Sequence, residues 1–138
     1  MMHLEYLKNE KQWGDAPFRP DLQGAVLEYI KNDTEMNFDT EKLYVVGHSM
    51  GVFIAAHLAA KHKDLKAAVC VAPCDMGEGM MSEKGRGQMK AIFESAVPWL
   101  GGTTVEALYA ETEQNKEAYQ LSGLAESLKS TPIYVLNA

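Results

Sequence analysis

Two kinds of apolar pattern alternate along the chain: short continuous runs, and longer stretches with apolar residues three and four positions apart. Their alternation predicts strands separated by helices. Leu43-Tyr44-Val45-Val46 is apolar, β-branched and aromatic, and reads as a buried strand. Phe53, Ile54, His57 and Leu58 then fall at helical spacing, which predicts a helix over Met50 to His62. Lys66 to Ala72 forms the next strand and Ile133-Tyr134-Val135-Leu136 the last. Upstream, His3 to Leu7 reads as a short strand, followed by a polar loop from Lys8 to Pro20. Asp21 can cap a helix from Leu22 to Asn32 that buries Ala25, Val26, Tyr29 and Ile30.

Between the last two strands the pattern turns helical. Met76 to Gly87, rich in glycine, methionine and charge, reads as a loop. Met89, Ile92, Phe93, Ala96 and Val97 share one face of a helix that Pro98 and Gly101-Gly102 interrupt. Thr103 or Thr104 can cap a helix carrying Val105 and Leu108, and Leu121, Leu124, Ala125 and Leu128 mark a further short one. Strands alternating with helices imply right-handed crossovers and a parallel sheet. The expectation is an α/β protein, one domain over 1–138, with three to four parallel strands and a helical, cap-like or loop region at about 76–130.

Chemistry enters at Gly47-His48-Ser49-Met50-Gly51, where the strand should turn sharply into the helix. Gly-x-Ser-x-Gly in that setting is the turn that exposes a nucleophilic serine, with the flanking glycines leaving room for the backbone to fold back. Ser49 is the candidate nucleophile. The backbone N–H of Met50, at the start of the helix, can donate to a developing oxyanion. A serine hydroxyl needs a base, and none of the four histidines suits. His48 adjoins Ser49 in a turn whose neighbours point apart, His57 lies two turns along the helix, His62 ends it, and His3 lies outside any motif. Asp75, just past the following strand, could orient a histidine or simply cap the loop.

Composition narrows the class. With 138 residues, a net charge of −6 and no cluster of basic residues, the chain is not expected to bind nucleic acid or an anionic membrane. No apolar stretch reaches the roughly 20 residues needed to span a bilayer. The amino terminus lacks the form of a signal peptide, which favours the cytoplasm. Cys70 reads as a core residue and Cys74 as a loop residue, with no disulfide framework and no further ligands for a metal. No cofactor is expected.

Val45 to Gly51 resembles the nucleophile elbow of the α/β-hydrolase superfamily, closest to prolyl-oligopeptidase-like and dienelactone-hydrolase-like enzymes. Lys66 to Asp75 looks like their next strand and its exit loop. Tyr119 to Leu136 resembles the approach to their seventh strand, and Trp13-Gly14-Asp15 the turn after their fourth. Val52 departs from the pattern, standing where many relatives have a third glycine. The resemblance implies a serine hydrolase that cleaves a small ester or a peptide through an acyl-serine intermediate. It also implies a second oxyanion N–H before this region, an acid after the seventh strand and a histidine after the eighth. The chain therefore looks like the middle part of a longer hydrolase, a partial α/β-hydrolase fold. The strand at 43–46 would then have one unpaired edge through which copies could associate. The alternatives are a non-catalytic binding module of the same fold, or a fragment without function.

Overall fold

The computed structural model describes residues 20–137. The expected strand at His3 to Leu7, the loop up to Arg19 and the Trp13-Gly14-Asp15 turn lie outside the described residues. Helix α1 (Pro20–Asn32) leads to strand β1 (Tyr44–His48), helix α2 (Gly51–Lys61) and strand β2 (Ala67–Val71). Four helices follow: α3 (Met76–Gly79), α4 (Glu83–Ala96), α5 (Val105–Gln114) and α6 (Ala125–Leu128), and strand β3 (Ile133–Leu136) comes after them. Short 3₁₀ turns at Thr40–Lys42, Val97–Trp99 and Leu121–Leu124 join these elements. The three strands form one parallel sheet in the order β1-β2-β3. This is the α/β arrangement expected, a three-stranded parallel sheet with flanking helices.

Helix α2 is central because it is apolar on nearly every side. Val52, Phe53, Ala55, Ala56, Leu58 and Ala59 are all buried. One side packs with Leu65 and Ala68 of the β2 region, against Val45 and Ile133. Another places Phe53 in a core with Met76, Met80, Met89, Phe93 and Leu108 from the downstream helices. The α2–sheet layer and the helical layer thus share one helix, and Ser49 lies at its head.

Two expectations need correction. Ala25, Val26 and Tyr29 of α1 are exposed, Tyr29 by 61%, and the side turned to α2 carries buried Gly24 and half-buried Leu27. Polar pairing, which apolar periodicity does not register, holds that rotation. Lys31 pairs with Asp64 at 2.7 Å, and Glu28 lies 3.5 Å from His62 at the end of α2. The helix also begins at Pro20, ahead of Asp21, as suits a proline in a first turn. The second correction concerns Met76 to Gly87, which is not a loop. Asp75 caps α3 and Ser82 caps α4 by accepting the N–H of Gly85, and Met76 and Met80 are fully buried.

Register assigns the two faces of the sheet. Val45, Ala68 and Ile133 lie side by side under α2, whereas Val46, Val69 and Tyr134 lie on the opposite face, with His48, Val71 and Leu136 beyond them. On that second face Tyr44, Val46, Tyr134 and Leu136 are 61%, 67%, 60% and 56% exposed. Among the described residues β1 also pairs on one side only. Parallel sheets are ordinarily covered on both faces, and an apolar free edge templates association. The 138-residue chain is therefore expected to self-associate in sedimentation equilibrium, and Val46→Lys with Tyr134→Lys to shift it toward monomer. A wild-type monomer at about 100 μM, within the μM–mM range in which aggregation-prone species associate, would contradict this.

Candidate active site

Strand β1 ends at His48 and α2 begins at Gly51, so Ser49 and Met50 alone make the turn. Ser49 sits in the left-handed region with φ 52°. For a non-glycine residue that conformation costs about 1–2 kcal/mol and persists only where the surroundings impose it. They do so here through backbone hydrogen bonds. The Ser49 N–H donates to the carbonyl of Val71 at 2.9 Å, extending the β1–β2 ladder. The Ser49 carbonyl accepts from Val52 N–H at 3.0 Å and from Cys74 N–H at 3.4 Å. Strand, helix and the loop after β2 thus converge on one residue.

The two glycines of the motif have different roles. A Cβ at Gly47 would lie 2.4 Å from the Gly51 carbonyl oxygen and 2.7 Å from Val52 Cα, so the backbone of the turn occupies its place. A Cβ at Gly51 meets nothing within 4 Å. Backbone crowding therefore demands a glycine at Gly47 and does not demand one at Gly51. Because Gly51 opens α2, Gly51→Ala should leave stability within about 0.5 kcal/mol or raise it by up to about 1 kcal/mol, read from urea midpoints. A loss above about 2 kcal/mol, well outside that propensity range, would show a constraint the geometry lacks.

Around this turn the other candidates separate. Met50 is half-buried, packs against the Phe53–Met76–Phe93 core, and its carbonyl accepts Phe53 N–H at 3.1 Å. Asp75 uses both carboxylate oxygens on backbone donors: Oδ1 accepts Glu78 N–H and Oδ2 accepts Leu121 N–H, each at 3.0 Å. Burial, reinforced by the Asp75 charge, raises the pKa of the Cys74 thiol, keeping it protonated near neutral pH. Burial likewise raises that of Cys70.

The described histidines lie elsewhere. His48 is exposed at the end of β1, in register with Val71. His57 Nδ1 is 2.8 Å from the Phe53 carbonyl, and its ring is tilted against that of Phe53 with centroids 4.1 Å apart. His62, the C-cap of α2, lies roughly 20 Å along the helix from Ser49. His3 is outside the described residues. Among those residues, no group of three His, Cys, Asp or Glu side chains could hold a metal ion, and no helix is long and apolar enough to cross a membrane. A groove of about 500 Å³ between α4 and α5, lined by Arg86, Lys90, Glu106 and Tyr109, includes no residue of the turn.

One feature gave no signal in the sequence. Ala72 is also left-handed, at φ 44°, and donates its N–H to the Leu136 carbonyl at 2.7 Å. Alanine before proline ordinarily reads as extended. Here it turns the chain after β2 so that Cys74 reaches Ser49.

The family model described as serine aminopeptidase, S33, matches residues 19–131, from the start of α1 to the approach to β3. Searches of curated proteins and of solved structures found no match. The family match does not extend to the finer likeness to prolyl-oligopeptidase-like and dienelactone-hydrolase-like enzymes. With the match covering most of its length, the chain belongs to the S33 serine aminopeptidase family of the α/β-hydrolase superfamily.

Proposed function

We propose that this chain carries the nucleophile of a serine hydrolase that cleaves an ester or peptide bond through an acyl-serine intermediate. The observation that carries the reading is the left-handed Ser49, held at the strand end by hydrogen bonds from three elements. Backbone strain of this kind concentrates at functional sites. In this mechanism Ser49 Oγ attacks the substrate carbonyl and its proton passes to a general base. The Met50 N–H donates to the resulting oxyanion, with the α2 dipole behind it. Collapse expels the alcohol or amine, which takes up the proton, and water then releases the acid from Ser49.

His57 and His62 are committed to other contacts along α2, and His48 is on the strand before the turn. We therefore propose that the base, and the acid that orients it, lie outside the described residues. The substrate class this implies is a small ester or a peptide, with no cofactor, nucleic acid or membrane taking part.

The test compares p-nitrophenyl ester turnover by the 138-residue chain with turnover by the same chain extended through its flanking coding sequence. The expected result is turnover only in the extended protein, lost in Ser49→Ala. Ser49-dependent turnover by the 138 residues alone would return the base to His3, His48, His57 or His62. An extended protein that folds but neither turns over ester nor reacts at Ser49 would favour a binding module of the same fold.

A further inference from the structure

The chain leaves the sheet layer at Asp75, makes α3 to α5, and returns at Leu121 to form the 3₁₀ turn and α6 before β3. One carboxylate holds both ends of this excursion. Asp75 Oδ1 takes the N–H of Glu78 at the departing end, and Oδ2 takes the N–H of Leu121 at the returning end, 46 residues away. The same junction is closed by backbone contact at Gly77. A Cβ there would fall 2.3 Å from the Lys116 carbonyl oxygen and 2.4 Å from the Gln120 nitrogen. Next to Asp75, the Cys74 N–H donates to the Ser49 carbonyl at 3.4 Å, and the Cys74 Sγ lies 4.0 Å from Met89 Sδ in the excursion. Met50 packs on the same core of Met76, Met80, Met89, Phe93 and Leu108.

We infer that Asp75 is a clasp, a positioning residue that pins residues 76–120 against the nucleophile turn, rather than the acid that orients a general base. A triad acid must accept the imidazole N–H. Here the two oxygens accept backbone N–H groups, one from each end of the excursion, and no histidine among the described residues contacts either. Its consequence for catalysis rests on reading Ser49 as the nucleophile, but its test does not.

The test follows amide hydrogen exchange and iodoacetamide labelling of Cys74, with Cys70 as the internal control, in the full 138-residue chain. In Asp75→Ala, exchange across residues 76–80 and 116–121 should quicken by about ten- to hundredfold, the range for losing a hydrogen bond to a charged group. β1 and β2 should exchange as before, and Cys74 should alkylate at least about tenfold faster in parallel with the opening. Asp75→Asn offers one acceptor oxygen in place of two, so it should keep one end closed and restore part of the protection. Leu121→Pro removes the returning N–H, together with the leucine side chain's packing on the core, and leaves the Asp75 charge beside Cys74. Gln120 is already extended at φ −70°, ψ 125°, as a residue before proline must be. This variant should open 116–121, spare the α3 cap and still speed Cys74 alkylation. Three results would each overturn the clasp: uniform acceleration through β1 and β2, unchanged exchange at 116–121 in Asp75→Ala, or unchanged Cys74 labelling in Leu121→Pro.

Discussion

Replacing Ser49 by alanine is expected to remove on the order of 10⁶ in turnover from the protein extended through its flanking coding sequence, the scale on which loss of a triad nucleophile registers. Urea midpoints should stay close to wild type, because the left-handed φ of 52° is imposed by the backbone bonds to Val71, Val52 and Cys74 rather than by the hydroxyl. Ser49→Gly separates the two roles of the residue. It removes the nucleophile but accepts the same backbone without a Cβ, so stability should hold or rise by up to about 1 kcal/mol. Loss of activity together with retained or increased stability is the signature of strain kept for function. If Ser49→Gly lowered stability by more than about 1 kcal/mol, beyond what glycine's chain entropy accounts for, the turn would not be strained as described.

Gly47→Ala should have the largest effect on folding. Its Cβ would meet the Gly51 carbonyl oxygen at 2.4 Å, the Gly51 carbonyl carbon at 2.6 Å and Val52 Cα at 2.7 Å, all of them backbone atoms. No rotamer change relieves such contacts. Either β1 must part from β2 or α2 must shift off the sheet, with its buried Val52, Phe53 and Leu58. A cost of about 3–5 kcal/mol is expected, large against the roughly 5–15 kcal/mol by which a domain is stable. Urea unfolding of Gly47→Ala beside Gly51→Ala checks this, since the same methyl is added to two glycines of one turn. Equal midpoints for the two variants would mean that the turn relaxes where its geometry allows no room.

The strand, turn and helix around Ser49 were legible in the sequence because their signals are local. An apolar β-branched run, two glycines around a serine and a helical stripe stand next to one another, and each alone restricts the backbone. β2 and β3 were legible for the same reason, as continuous apolar runs between polar turns. What escaped depends on residues distant in the chain or on side-chain types with no single meaning. The rotation of α1 follows from Lys31–Asp64 and the Glu28–His62 contact, which link it to the end of α2. The glycines and methionines of 76–87 suggest a loop by composition, although Asp75 and Ser82 stand where N-caps of α3 and α4 belong. Cap spacing was the signal available there. Nothing in Ala72-Pro73 marks a left-handed alanine, and Asp75 is read as a loop residue until Leu121 is seen to be its second partner.

The role of Ser49 is tested most directly by reacting the protein, extended through its flanking coding sequence, with a fluorophosphonate and locating the adduct by peptide mass spectrometry. The expected result is a single phosphonylated serine at Ser49, no adduct in Ser49→Ala, and labelling that survives replacement of His48, His57 and His62 one at a time. An adduct on any other serine, or labelling abolished by one of those three histidines in a protein that still folds, would contradict it.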